Sequence, residues 1–195
     1  MPKQNAALHS ADAPDWQMPA EYVEAARQAM GGIDLDPMTD SEAQARIQAT
    51  NFYTAFDDGL SRRWDGRVFL NPAGGLVNAA WDKLMSSLRV TAFIWVGFSL
   101  EQLQTLQSAK HKTHPLDFYL CIPSRRIAFI EATARKEARR AACARQGGGP
   151  FKEKASPSHG NYIAGWGMTD HAFHAAFDQF GVVRCEGASG RRLSA

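Results

Sequence analysis

The chain has 195 residues, 45% hydrophobic and 22% charged, with a formal net charge of +2. This suits one globular domain of ordinary size and excludes a disordered or collagen-like chain. Its three cysteines, Cys121, Cys143 and Cys185, are odd in number and far apart, which argues against a disulfide framework or zinc knuckle and fits a reducing cytosol.

Residues 1–14 are polar and mixed, without the apolar stretch of a signal peptide, and are expected to form a loose tail. A helix is predicted over Ala20–Met30, stopped by Gly31-Gly32. Ile33-Asp34-Leu35 reads as a short strand ended by Asp36-Pro37, and Ser41–Ala49 as a second helix that Ser41 can cap. Asn51–Gly66 reads as irregular. Val68-Phe69-Leu70 is a buried strand of the parallel type, ended by the breaker cluster Asn71-Pro72-Ala73-Gly74-Gly75. Val77–Leu88 carries Val77, Ala80, Trp81, Leu84, Met85 and Leu88 on one helical face.

Val90–Val96 is a β-branched and aromatic strand; the longest apolar run, Val90–Phe98, is too short to span a membrane. Further along come a helix at Leu100–Leu106 and a strand at Phe118–Ile122 ended by Pro123. Phe129–Arg145 is a helix or mobile loop, broken by Gly147–Pro150. Strands at Tyr162–Trp166 and Val182–Cys185 flank a helix at Asp170–Phe180, which Gly181 stops. The alternation predicts an α/β domain over residues 15–186, with a mostly parallel sheet, helices on both faces and an antiparallel edge from the last two strands. Residues 187–195 are expected to form a second tail.

Charge is uneven. Residues 124–154 hold nine basic and three acidic side chains, a net +6, leaving −4 for the rest of the chain. Such a basic insert suits contact with phosphate; a solvated charged helix explains it equally well.

In an open α/β sheet, ligands sit beyond the carboxyl ends of the strands. Asp36-Pro37 and Asn71-Pro72 are expected on that rim. An acid there can accept hydrogen bonds from a ribose. An Asn-Pro turn can offer a side-chain and a backbone carbonyl side by side. Two such acceptors grip the N–H bonds of an exocyclic amine and favour a pyramidal nitrogen, whose lone pair can then attack a methyl sulfonium.

The order Asp15-Trp16-x-x-Pro19, Asp34-Leu35-Asp36-Pro37, Asp58-Gly59-Leu60 with Trp64, and Val68-Phe69-Leu70-Asn71-Pro72 resembles the phage DNA N6-adenine methyltransferase family. Cys121-Ile122-Pro123-Ser124-Arg125-Arg126-Ile127-Ala128-Phe129 and Ser156-Pro157-Ser158-His159-Gly160-Asn161 resemble later segments of it. The likeness spans about residues 15–181. It implies a Rossmann-like methyltransferase fold that binds S-adenosylmethionine and methylates adenine N6 in double-stranded DNA, in a bacterial host cytoplasm and without a membrane. By the same resemblance Asn71 and Pro72 are the catalytic pair, and Trp16, Pro19, Asp34, Asp36, Pro37 and Asp58 bind the cofactor. Arg125, Arg126, Arg135, Lys136, Arg139 and Arg140 are expected on DNA.

The sequence departs from that pattern at three places. Met18 stands where the family has Thr, Ala73 where it has a second Pro, and Gly74 where it has a stacking aromatic. A substitute ring is sought among Phe98, Tyr162 and Trp166. A fold that binds DNA or cofactor without transfer, or one acting on another amine, stays open. Trp64 and Trp81 are expected in the core, and His171 and His174 on a helix surface rather than on a metal.

Overall fold

The computed structural model describes residues 16–99, 102–104, 118–145 and 160–185. The elements in chain order are β1 (Trp16–Gln17), α1 (Ala20–Met30), β2 (Leu35–Asp36), α2 (Ser41–Ile47), β3 (Asn51–Phe52), β4 (Gly66–Leu70), α3 (Val77–Ser86) and β5 (Val90–Gly97). They continue with β6 (Tyr119–Pro123), β7 (Ile130–Glu131), α4 (Thr133–Arg145), β8 (Tyr162–Trp166), α5 (Asp170–Phe177) and β9 (Gly181–Arg184). Among the described residues, no helix is long and apolar enough to cross a membrane.

The main sheet has seven strands in the order β3-β2-β4-β5-β8-β6-β9. β3, β2, β4 and β5 are mutually parallel. β8 is antiparallel to both β5 and β6, and β9 is antiparallel to β6. The fold is therefore α/β with a mixed sheet. The expected antiparallel edge is larger than the sequence suggested, because β8 inserts between β5 and β6 instead of pairing with β9.

Two apolar layers cover the sheet. Val23, Ala26, Ala43, Ile47, Phe173 and Phe177 from α1, α2 and α5 pack on Phe69, Ile94 and Val96. Val77, Ala80, Trp81, Leu84 and Met85 from α3 pack with Trp64 on Val68, Leu70, Phe93 and Trp95. Alternate residues of a strand point to opposite faces, so each buried strand feeds both layers. Trp64 and Trp81, each 1% exposed, are core residues as expected.

Local chemistry sets the element ends. α1 stops where the N–H of Gly32 reaches Arg27 O at 2.8 Å and Gly31 adopts φ 74°. α2 is capped by Asp40 rather than Ser41: the Asp40 side chain accepts the Ala43 N–H at 2.7 Å. Three short strands, β1, β3 and β7, lie where the sequence predicted none. β3 extends the sheet beside β2, and β7 pairs antiparallel with β1, Trp16 opposite Glu131. Residues this few carry no period to read. The helix predicted at Leu100–Leu106 falls mostly outside the described residues, though Gln102–Gln104 are helical.

Candidate functional site

β2 leads through α2 to β3 on one side, while β4 leads through α3 to β5 on the other. Strand order thus reverses between β2 and β4. A crevice opens beyond the carboxyl ends of strands at such a switch point. The structure has a small cleft there, partly open to solvent. Asp36, Met38 and Thr39 line it from the end of β2, Asn71 from the end of β4, and Trp16 and Gln17 from β1. Met18 after β1, the α2 cap Asp40, and Ala43 and Ile47 from the two ends of α2 complete it.

Asn71 is 8% exposed. Its Nδ2 donates to the backbone carbonyl of Trp16 at 2.9 Å. That bond settles which end of the amide is which, because the reverse orientation would set two acceptors against each other. Asn71 Oδ1 is then turned the other way. It is buried and has no hydrogen-bond partner among the described residues. A buried carbonyl without a donor is costly and uncommon, and it marks a place where a ligand can supply one. Pro72 and Ala73 are buried beside it, whereas Cβ positions at Gly74 and Gly75 point into open space.

Asp36 is 2% exposed. Burial pushes its carboxyl up to about 7, against the lowering effect of hydrogen bonds from the Met38 N–H, Thr39 and Gln44. The Met38 N–H and Gln44 Nε2 lie 3.3 and 3.1 Å from its oxygens. Neighbouring Asp40 adds a smaller push upward. The Asp58-Gly59-Leu60 turn leans on the same rim: Trp64 Nε1 donates to Gly59 O at 2.8 Å, and a Cβ on Gly59 would come within 1.9 Å of Pro37 O.

β1 is latched over the cleft. Gln17 is 2% exposed; its amide nitrogen donates to both oxygens of Asp40 at 3.1 and 3.2 Å, and its carbonyl accepts from Arg46. The Arg135 guanidinium lies 5.6 Å from the centre of the Trp16 ring.

The remaining sequence-derived candidates divide. Asn71, Asp36 and Trp16 meet in the cleft, with Pro72 adjoining. Pro37 and exposed Asp58 sit on the neighbouring turn, and buried Pro19 caps the start of α1 outside the cleft lining. Asp34 is not brought to the cleft. Its oxygens accept from Arg67 Nε and NH2 at 2.8 and 2.6 Å and from the Arg67 N–H at 2.9 Å, at the amino ends of β2 and β4. Those hydrogen bonds hold its carboxyl below the ordinary range. Asp34 ties two strands together.

Of the three rings sought for stacking, Trp166 lies opposite Phe93 in the middle of β5, away from the rim, because β8 runs antiparallel to β5. Tyr162 is on the correct rim but fully buried, with Gly97 so close that a Cβ there would meet its ring at 2.0 Å. Half-buried Phe98, directly after β5, is the one that remains at the rim.

The basic candidates also divide. Arg125 and Arg126 are exposed after β6. α4 has no buried residue along its 13 positions. Arg139 donates to both Glu131 oxygens at 2.6 and 2.7 Å, and Arg135 lies 3.4 Å from the same carboxylate. Lys136 is half-exposed and Arg140 exposed on that helix. Ser156–His159 lie outside the described residues. His171 is exposed, and His174 Nδ1 faces Asp178 at 3.7 Å. The latch residue Gln17 and the cap Asp40 were not singled out from the sequence. A helix-capping Asp just before Ser41 was the one available signal.

Comparison with family models, curated proteins and solved structures finds no match to this chain.

Proposed function

We propose that this chain transfers the methyl group of S-adenosylmethionine to the N6 amine of adenine in DNA: an N–C bond forms as the S–CH3 bond breaks, S-adenosylhomocysteine leaves, and one amine proton is lost to solvent. The observation that carries the reading is the buried, partnerless Asn71 Oδ1 at the switch-point cleft. Asn71 Oδ1 and the Pro72 carbonyl accept the two N–H bonds of the amine, hold its nitrogen pyramidal and aim its lone pair. Fixed dipoles of this kind lower a barrier without reorganising during the reaction. The target base has to leave the duplex to reach them.

S-adenosylmethionine, when bound, supplies an electrophilic methyl on a sulfonium. The residues present fit it. Asp36 offers a buried carboxyl to ribose hydroxyls, and Trp16, Gln17 and Met38 wall the cleft that would exclude water. Phe98 is the ring that stacks on the captured base, a contribution of about 1–3 kcal/mol. The exposed arginines of the 124–145 segment bind phosphate, which gives binding a steep salt dependence.

A second reading is a methyltransferase-type domain that binds cofactor or DNA without transfer. The open space around Gly74 and Gly75 favours it, since no ring stands there to retain a base. Labelled S-adenosylmethionine and unmethylated DNA, incubated with the wild type and with Asn71→Ala, separate the two. Transfer that collapses in the variant supports catalysis. Cofactor binding with no wild-type transfer supports the second reading.

A further inference from the structure

We infer that Trp16 is a positioning residue for Asn71: its backbone carbonyl, held across the rim by β1, fixes the amide so that Oδ1 and not Nδ2 is presented to the acceptor amine. The inference rests on the proposed amine methylation for its catalytic meaning, but the hydrogen bond itself is independent of that reading.

A free asparagine amide can turn about its last torsion and offer either end. An amine substrate needs an acceptor at this place; a presented NH2 would repel it. Asn71 Nδ2 lies 2.9 Å from Trp16 O, so the flipped amide would lose a bond and gain a repulsion. The carbonyl is itself restrained on three sides. β1 pairs with β7, Gln17 is bound to Asp40 and Arg46, and Arg135 covers the Trp16 indole. The orientation of one side chain on the end of β4 therefore depends on a two-residue strap 55 residues away in the chain.

Asn71→Asp tests this by the sign of its pH dependence. When protonated, the introduced carboxyl has the same pattern as the amide: one O–H to donate to Trp16 and one oxygen to present. When ionised, it has two acceptors, one of them pressed against the Trp16 carbonyl. Asp36 and Asp40 from the β2–α2 side, Arg46 from α2 and Arg135 behind Trp16 face the same region, so the variant is read relative to the wild type at each pH.

If Trp16 positions Asn71, the variant-to-wild-type ratio of kcat falls roughly a hundredfold to a thousandfold as the introduced carboxyl ionises, the scale seen when one preorganised dipole is lost. KM for the cofactor changes little. If the ratio is flat or rises with ionisation, a carboxylate serves as well as an amide and the inference is wrong. A second readout needs no activity. Hydrogen exchange at residues 16–17 and 130–131, corrected for intrinsic rates, should lose protection in Asn71→Asp as that carboxyl ionises, with no such step in the wild type. Protection maintained at every pH overturns the link. A protection step in the variant without any methyl transfer by the wild type keeps the link and rejects the proposed reaction instead.

Discussion

Replacing Asp36 with asparagine separates the charge of the cleft's buried acid from its shape. In the unfolded chain this carboxyl ionises near the ordinary 3.8, whereas in the fold burial holds it at about 7. Between those values the folded protein keeps a proton that the unfolded chain has lost. The resulting stability is fully present below 3.8 and is lost as pH rises through about 7. From pH 5 to 7 this amounts to two pH units at about 1.36 kcal/mol each, about 3 kcal/mol in all. Asp36→Asn does not titrate. Its carbonyl can still accept the Met38 N–H, while its NH2 meets the Gln44 amide, which the Ala49 N–H holds in place at 3.1 Å; that cost is the same at both pH values and leaves the pH difference intact. Thermal unfolding at pH 5 and pH 8 is the assay. The wild-type Tm should fall by roughly 5–10 °C more than that of Asp36→Asn, as about 3 kcal/mol implies for a domain of this length. Parallel shifts in the two proteins would refute the assignment of a buried, proton-holding acid.

Two further outcomes concern residues on which sequence and structure disagree. Asp34→Ala should cost roughly 1–2 kcal/mol in denaturant unfolding, the worth of a partly exposed pair plus a charged backbone hydrogen bond. It should leave the Kd for S-adenosylmethionine unchanged; a large loss of cofactor binding would restore Asp34 to the site. Glu131→Gln releases Arg135 and Arg139 from their shared carboxylate. Non-specific DNA affinity should rise, and the salt dependence of log K should steepen by about 0.9 for each added phosphate contact. Unchanged affinity with an unchanged slope would remove α4 from the DNA surface.

The rim was legible because two buried strands end in abrupt breakers, and chain order alone places such ends together in a parallel sheet. Asp36 and Asn71 were found that way. Asp34, expected on the rim, lies instead at the amino ends of β2 and β4, for a related reason. It sits two residues before Asp36, but its partner Arg67 is 33 residues on, and nothing local announces that pair. Trp166 was a candidate ring only while the direction of β8 was unknown. β1 and β7 were invisible at two residues each, so the latch of Gln17 on Asp40 and the bond from Asn71 to Trp16 could not be read. The hydrogen bond from Asn71 to Trp16 joins residues 55 apart in the chain. That Asn71 stands at the site was a local fact.

Nucleoside analysis of unmethylated DNA after incubation with the protein and S-adenosylmethionine tests the central claim most directly. N6-methyldeoxyadenosine is expected from the wild type, with a loss of about a hundredfold or more in Asn71→Ala and cofactor binding retained. Cofactor bound by the wild type with every nucleoside unmodified, or N6-methyldeoxyadenosine formed equally well by Asn71→Ala, would contradict it.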